Sequence, residues 1–394
     1  MSLVAHIFFA ALALPAIATS LYLLAATLLS RATPHLVESS RSQRFDIVIP
    51  AHNEAATIAS VILGLQHLDW PLSAFHIVVV ADNCTDGTAA RAHAAGVEVL
   101  ERSDPTLLGK GFALDYAFHM SLERAWADAV VVIDADSQVS ANFLEVLSRH
   151  LESGAQAIQA RYGVLNSDVT WRTRLTAIAL AAFHDVRSRA RERLRLSCGL
   201  RGNGWCVTTA LLRVVPYQAF SLAEDVEYGI TLGVRGCRVH YADDARIAGA
   251  MPSGARGAQS QRRRWEDGRR QLLRAQFWPL LRIALLSRDL VCADLAFDLL
   301  VLPLSYLVVN LVILLTLAAF AQIWLSSALV WVWVATACGL ALALHVLRGW
   351  QLSKTGAHGL LALAFVPAFI VWKVVLMWRT HDSTEWVRTS REGP

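Results

Sequence analysis

Charged residues are scarce in this sequence: they make up 17% of its 394 positions, whereas hydrophobic residues make up 55%. A soluble domain seldom has this balance, so the composition favours a membrane protein with a sizeable water-facing part. Residues 3–29 contain no Asp, Glu, Lys or Arg, and charges are again rare between residues 295 and 378. The roughly 230 residues between these blocks are mixed in composition, which is enough for one α/β domain with its own core.

Motifs typical of several common protein classes are also missing. The six cysteines include no Cys-x-x-Cys pair and match no zinc-site spacing, so we expect free, buried thiols. Neither G-x-G-x-x-G nor G-x-x-x-x-G-K-[ST] follows a predicted strand, which excludes a dinucleotide-binding dehydrogenase and a P-loop NTPase. The arginine clusters flank the apolar blocks, so we expect contact with membrane lipid and no nucleic-acid partner.

The first apolar block, residues 1–30, is predicted to be a transmembrane helix. It is long enough to cross about 30 Å of hydrocarbon. It has no basic start and exceeds the usual hydrophobic region of a signal peptide, which indicates a retained anchor. Arg31, Arg41 and Arg44 follow it, and no Lys or Arg precedes it. The positive-inside rule therefore predicts a multi-pass protein of the plasma (inner) membrane with its central domain in the cytosol.

The C-terminal block, residues 295–378, divides into three apolar runs at 295–321, 324–346 and 356–378. We expect the uncharged connection near Gln322 outside the membrane and the basic connection at 348–354 inside it. The third run contains Pro367 and Lys373 and is followed by a basic tail, residues 379–394. It either spans the membrane or is re-entrant or interfacial, and the sequence leaves both possibilities open.

The segment 271–292 joins the central domain to these runs. Its apolar residues recur at helical spacing, with Arg274, Arg282 and Arg288 off the apolar stripe. This pattern predicts an amphipathic helix in the lipid headgroup plane, interrupted at Pro279. An ordinary amphipathic core helix is the alternative.

The central domain repeats a strand–turn–helix pattern at 45–65, at 76–96 and from 129 onward. Runs of Val and Ile without polar alternation predict a mostly parallel sheet covered on both faces, in a Rossmann-like α/β fold. Ligands of such sheets bind at the carboxyl ends of the strands. All three strands end there in polar side chains: His52, Asn53, Glu54, Asp82, Asn83, Asp134 and Asp136.

Asp134 and Asp136 lie two positions apart, so their charges repel unless a cation lies near them. Carboxylate oxygens suit Mg²⁺ or Mn²⁺, and Mg²⁺ usually completes its shell with phosphate oxygens and water. The pair therefore predicts a metal site for a nucleoside diphosphate. A phosphotransferase with an aspartyl nucleophile and a simple helix cap are the alternatives.

Six short motifs occur in order within the central domain: IVIPAHNE (47–54), VADNCTDGT (80–88), GKGFAL (109–114), DAD (134–136), AED (223–225) and QRRRW (261–265). Together they resemble the membrane-embedded family 2 glycosyltransferases, the group that includes cellulose, chitin, hyaluronan and poly-N-acetylglucosamine synthases. The resemblance implies a GT-A fold for residues 45–270, set between transmembrane helices.

The resemblance also implies roles for individual residues. Glu54 and Asp82 would lie in the uridine pocket and Lys110 near the nucleotide. Asp134 and Asp136 would form the D-x-D metal site, with Asp136 as the more direct ligand.

On the acceptor side, Asp225 would be the catalytic base, next to Glu224, in a T-E-D motif whose Thr is Ala223 here. Gln261, Arg264 and Trp265 would form Q-x-x-R-W, in which Arg264 faces the diphosphate and Trp265 offers a stacking face for a sugar ring.

Two further segments have open interpretations. Glycines in the loop 199–206 permit close backbone approach, so Asn203 is predicted to contact acceptor hydroxyls unless the loop is an ordinary turn. His184 and Asp185 lie among alternating arginines and are predicted to face solvent or lipid.

These observations predict a metal-dependent inverting glycosyltransferase that uses a UDP-sugar, with glucose or N-acetylglucosamine suggested by the resemblance, to extend a β-linked polysaccharide. Transfer of one sugar to a lipid or short oligosaccharide is an alternative, as is a non-catalytic nucleotide-sugar-binding subunit. A transporter would need polar residues at mid-span, for which Asp298, Asn310 and Lys373 are candidates. The predicted partners are the donor, a carbohydrate or glycolipid acceptor and, for a channel, further copies or a partner subunit.

Overall fold

The computed structural model of the chain describes residues 2–34 and 36–370. In these residues one sheet contains eight strands, in the order β3-β2-β1-β4-β7-β6-β8-β5. The strands are β1 (Phe45–Ala51), β2 (Phe75–Asp82), β3 (Glu98–Arg102), β4 (Ala129–Val132), β5 (Ser137–Val139), β6 (Ala157–Val164), β7 (Trp205–Thr208) and β8 (Val239–Gly249). Strands β3, β2, β1 and β4 are parallel neighbours, which confirms the predicted α/β sheet.

The domain helices are α2 (Ile58–Gln66), α3 (Thr88–Ala94), α4 (Lys110–Arg124), α5 (Phe143–Glu152), α6 (Trp171–Leu180), α7 (Arg187–Arg193), α8 (Thr209–Val214) and α9 (Glu224–Val234). They cover both faces of the sheet. On β1, Ile47 and Ile49 pack into one core with α2 and α5, while Val48 packs into a second core with α4 and α9. Both faces of the sheet are buried, which explains why the strand sequences show no alternation of polar and apolar residues.

Outside this domain lie α1 (Ser2–Leu29), α10 (Ala255–Ser287), α11 (Leu290–Leu300), α12 (Leu304–Ala321), α13 (Leu329–Ser353) and α14 (Gly356–Ala362). Three segments among the described residues are long and apolar enough to cross a membrane: Leu3–Leu29, Leu304–Ala321 and Ser326–Ser353. The cytosolic orientation of the domain stays a prediction.

Several predicted boundaries differ from the structure. The run 295–321 is divided at Pro303, whose ring cannot continue a helix from the preceding turn. Most of the predicted inside connection, 348–354, belongs to α13. Part of the third run, residues 371–378, and the basic tail, 379–394, lie outside the described residues.

Helix α10 runs without a break from the QRRRW motif to Ser287 and so includes most of the segment 271–292 predicted to lie in the headgroup plane; the last residues of that segment begin α11. It passes Pro279, where the sequence predicted an interruption. Pro279 is exposed, so the carbonyl left without a partner one turn earlier lies on the outer side of the helix. Leu272 and Leu280 pack against α9 and α11, whereas Trp278 and Leu286 are exposed. The inner part of the apolar stripe is thus protein core, and the headgroup location of the outer part stays a prediction.

Polar contacts attach the apolar helices to the domain. The Arg161 guanidinium donates to the Leu352 carbonyl across 2.7 Å. Gly349 of α13 lies so close to the helical segment 178–182 that an added Cβ would come within 2.7 Å of the Ala182 Cβ.

We predict that Gly349→Val lowers the Tm of the detergent-solubilised protein, because overpacking costs about 1–3 kcal/mol. Gly339 lies on the same helix, and an added Cβ there meets nothing within 4 Å. Gly339→Val is therefore the matched control, and equal Tm values for the two variants would contradict the close packing at Gly349.

Candidate active site

The carboxyl ends of β1, β2 and β4 meet at one edge of the sheet because all three strands are parallel neighbours. The loops that follow β1 and β2 are cross-linked. His52 Nδ1 lies 2.8 Å from the Asp82 carbonyl, and the Thr85 N–H donates to Asn53 Oδ1 across 2.7 Å. The Glu54 N–H donates to the Thr88 hydroxyl across 2.8 Å. These bonds bring Glu54 and Asp82, the predicted nucleoside-binding pair, to the same pair of loops.

Asp82 is buried beside Arg102, whose Nη1 lies 2.6 Å from Asp82 Oδ1. Sequence reasoning missed Arg102. The signal lay in the strand register, because Arg102 ends β3 directly opposite Asp82 on β2. Arg102 neutralises the Asp82 carboxylate, which would be costly to bury alone.

Lys110, the first residue of α4, joins both halves of the site. Its Nζ lies 2.6 Å from Asp134 Oδ1 and 3.8 Å from Glu224 Oε1, and it donates to the Gly202 carbonyl. One cleft is therefore bordered by the D-x-D pair, by the acidic start of α9 and by the loop 199–206, called the glycine loop below. Gly111 follows at a position where an added Cβ would overlap the Ala219 carbonyl, so a larger residue would push α4 away from this contact.

Asn203 is buried at 1% exposure, between the D-x-D turn and the glycine loop. Its Oδ1 accepts from the Asp134 N–H across 3.0 Å, and its Nδ2 donates to the Ser137 hydroxyl across 2.7 Å. Both ends of the side-chain amide are engaged inside the protein. The predicted contact with an acceptor stays a prediction, and in this structure Asn203 positions the D-x-D turn.

A divalent cation would be held by Asp136 and Asp134. No group of three or more His, Cys, Asp or Glu side chains within the described part of the chain could hold a metal ion. Two carboxylates fit Mg²⁺ or Mn²⁺ as part of a shell that phosphate oxygens and water complete. Lys110 engages Asp134, and Asp136 as the more direct ligand stays a prediction.

Glu224 and Asp225 begin α9, opposite the D-x-D pair. Burial raises the pKa of Glu224 to about 7. The positive charge of Lys110 opposes this rise, and the negative charge of Asp225 adds to it. Burial also raises the pKa of Asp225, opposed by the Val226 N–H, Lys110 and Arg201. An added Cβ at Gly202 would lie 3.5 Å from Asp225 Oδ2, so the glycine leaves space beside this carboxylate. A carboxylate with a raised pKa suits a general base near neutral pH.

The Q-x-x-R-W segment reaches this region through the packing of α10 on α9. Gly268, one turn beyond Arg264, lies so close to Ala223 that an added Cβ would be 3.0 Å from the Ala223 Cβ. Gln261 is buried, whereas Trp265 is 40% exposed. Among the described residues, no hydrogen bond or ion pair joins Gln261, Arg264 or Trp265 to the aspartates, so their roles stay predictions.

The prediction that His184 and Asp185 face solvent or lipid is wrong. Both are buried, in a π-helical turn (Ala181–Val186) that links α6 to α7. Asp185 lies 2.7 Å from Arg161 and accepts from the Tyr241 hydroxyl across 3.0 Å. The alternating arginines indicated a polar face, but the partners of Arg187 and Arg191 lie on α11 and that of Arg189 lies on β8, far away in sequence.

We predict that Asn203→Ala destabilises the protein by about 1–3 kcal/mol, because the Asp134 N–H loses its acceptor and the buried Ser137 hydroxyl loses a donor. The measurement is thermal unfolding in detergent. Asn142→Ala is the matched control, since Asn142 is exposed and makes no side-chain capping bond to α5. A control that loses as much stability as Asn203→Ala would refute the positioning role.

The chain is similar to several known proteins. It is 24% identical over 253 residues to the "Probable glycosyltransferase YdaM" of Bacillus subtilis, covering 61% of this chain and 59% of that protein. It is 23% identical over 376 residues to "Glucomannan 4-beta-mannosyltransferase 7" of Arabidopsis thaliana, covering 88% and 64%. In these two relatives and in "Probable glucomannan 4-beta-mannosyltransferase 1" of Arabidopsis thaliana, the match spans 43–64% of the relative's own length.

A solved structure with a related shape is the "Mannosyltransferase PcManGT from Pyrobaculum calidifontis in complex with GDP-Man and Mn2+". The two chains are 17% identical with a TM-score of 0.49, over 86% of this chain and 99% of that one. The family model described as "Glycosyltransferase like family 2" matches residues 43–268, more than half of the chain. This region holds the parallel sheet, the D-x-D turn, the acidic start of α9 and QRRRW. The chain therefore belongs to glycosyltransferase family 2.

Proposed function

We propose that this protein is a metal-dependent, inverting glycosyltransferase that moves a sugar from a UDP-sugar, glucose or N-acetylglucosamine, to an acceptor hydroxyl at the membrane. The observation that supports it best is Lys110, which links Asp134 to Glu224 across one cleft. A donor held at Asp134 and Asp136 would face the carboxylates that activate the acceptor. A non-catalytic nucleotide-sugar-binding subunit, or sensor, would not need a base beside its donor site.

In the proposed reaction, Asp225 accepts the proton of the acceptor hydroxyl. The oxygen attacks the anomeric carbon from the side opposite UDP, so the new bond forms as the bond to the diphosphate breaks and the configuration inverts. A divalent cation, when bound, supplies positive charge to the departing diphosphate. Lys110 keeps Asp134 in the cleft, and Asn203 fixes the backbone of the same turn.

Two acceptor classes fit this chemistry. The resemblance of Q-x-x-R-W to the polymer synthases favours a growing β-linked polysaccharide. The number of spans favours one sugar on a lipid or short oligosaccharide, because the three candidate spans among the described residues are few for lining a channel. A homo-oligomer or partner subunit would remove this objection.

We predict that purified protein with Mn²⁺ transfers label from one UDP-sugar in a donor panel, and that Asp225→Asn lowers the rate by about 10²–10⁴-fold with UDP affinity nearly unchanged. Product length on a gel separates polymer from single addition. Asp168→Asn, a change at an exposed aspartate, is the matched control. Full activity of Asp225→Asn would overturn the base assignment, and no transfer by folded wild-type protein would favour the sensor.

The pH dependence gives a second test. Because burial raises the pKa of Glu224 to about 7 and that of Asp225 in the same direction, the pair holds a proton below neutral pH. We expect kcat/KM to rise with pH through the neutral range. Glu224→Gln removes a neighbouring negative charge, so the rise should move to lower pH. An unchanged profile in this variant would show that the titrating group lies elsewhere.

A further inference from the structure

Gln159 is a polar residue in the buried first half of β6, and its side chain is 1% exposed. Trp205 on β7 and Tyr241 on β8 lie beside it in the sheet, and both are buried as well. A buried amide is costly unless its oxygen and its NH₂ group both find hydrogen-bond partners. The partners of Gln159 therefore indicate what this side chain does.

Both ends of the Gln159 amide bond to neighbouring backbone. Its Oε1 accepts from the Arg201 N–H across 2.7 Å. Its Nε2 donates to the Asn203 carbonyl across 2.8 Å and to the Ala160 carbonyl across 2.9 Å. Two of these three partners belong to the glycine loop, at the residues on either side of Gly202.

The glycine loop is tied to the sheet at Cys198, just before it, and at Gly204. The N–H groups of these two residues donate to strand carbonyls, each across 3.0 Å. Between these points Gly202 has a φ of +77°, and a glycine has no side chain whose packing could hold it there. Hydrogen bonds at the flanking residues must therefore fix this stretch, and Gln159 supplies one on each side.

Gly202 contacts both halves of the candidate site. Its carbonyl accepts from Lys110, which also pairs with Asp134. An added Cβ at Gly202 would lie 3.5 Å from Asp225 Oδ2, so the backbone of the loop packs directly beside the predicted base. A shift of Gly202 would thus displace the acceptor of Lys110 and change the space around Asp225.

Asn203 extends the same dependence to the D-x-D turn. Its carbonyl accepts from Gln159, while its side chain accepts from the Asp134 N–H across 3.0 Å and donates to the Ser137 hydroxyl across 2.7 Å. Because the backbone of Asn203 is held by Gln159, the starting point of this side chain is fixed as well. Gln159 therefore acts on the turn that carries Asp134 and Asp136 through Asn203.

We propose that Gln159 is a positioning residue for sugar transfer, which acts through the glycine loop to keep the D-x-D turn and Asp225 in register. Its effect on the rate rests on the proposed function, whereas its effect on the D-x-D turn does not. A misplacement of about 1 Å at the reacting groups can cost about 10²-fold in rate. Residues that support metal ligands from outside are typically worth about 10–100-fold in metal affinity.

The test is Gln159→Met in the full chain, which keeps the length of the side chain and removes its hydrogen bonds. We expect kcat with the UDP-sugar donor to fall about 10–100-fold. The Kd of Mn²⁺ in the presence of UDP, measured from the electron paramagnetic resonance signal of free Mn²⁺, should rise about tenfold or more. The Kd of UDP in EDTA should stay nearly unchanged, because the loops after β1 and β2 are held by bonds of their own.

Two controls separate positioning from stability. Gln156→Met changes an exposed glutamine three positions earlier and should behave like the wild type. Gly349→Val is predicted to lower the Tm through a contact of α13, and below that Tm it should keep the wild-type kcat and Mn²⁺ affinity. Gln159→Asn replaces the Met variant if the latter fails to fold, since it keeps the amide but is one carbon too short to bond both Arg201 and Asn203.

Wild-type kcat and Mn²⁺ affinity in a folded Gln159 variant would overturn the proposal, as would equal losses in Gly349→Val. A double variant with Asn203→Ala should lose less Mn²⁺ binding free energy than the two single variants together, because both residues act on one turn. Full additivity would contradict this shared path. If the wild type binds Mn²⁺ and UDP but transfers no sugar, the proposed function fails, while the Mn²⁺ comparison still tests Gln159.

Discussion

The ammonium group of Lys110 is the contact on which the candidate site depends. It lies between Asp134, Glu224 and the Gly202 carbonyl, which belong to three segments that are far apart in sequence. Without a cation there, carboxylates from two sides of the cleft would repel one another in partly buried surroundings. The same position would lie between donor and acceptor in the proposed reaction, so one positive charge organises both halves of the site.

The glycine loop is the second constraint. Gly202 and Gly204 have positive φ angles, which other residues adopt only with strain, and the side chain between them turns inward. Asn203 then fixes the D-x-D turn from below, while Gly202 leaves space beside Asp225. The loop that was predicted from the sequence to contact the acceptor thus also sets the geometry of the turn that carries Asp134 and Asp136.

The junction between the domain and the apolar helices is unusually rich in buried charge. Arg161 and Arg189 are matched there by Asp185 and Asp243. Arg187 and Arg191 pair there with Asp298, and Arg191 Nε also lies 2.9 Å from Asp294.

The sequence by itself determined the sheet and the family, and it predicted the edge of the sheet at which a ligand would bind. Runs of Val and Ile and polar residues after each strand are local patterns, and six motifs in order leave little choice of fold. Only the tertiary structure decided which distant residues meet. Arg102 opposite Asp82, Asn203 beside Asp134 and the arginines of α7 paired with α11 depend on strand register, loop conformation and helix packing. Register, loop conformation and helix packing are set by contacts between distant parts of the chain, so no local pattern of residues predicts them.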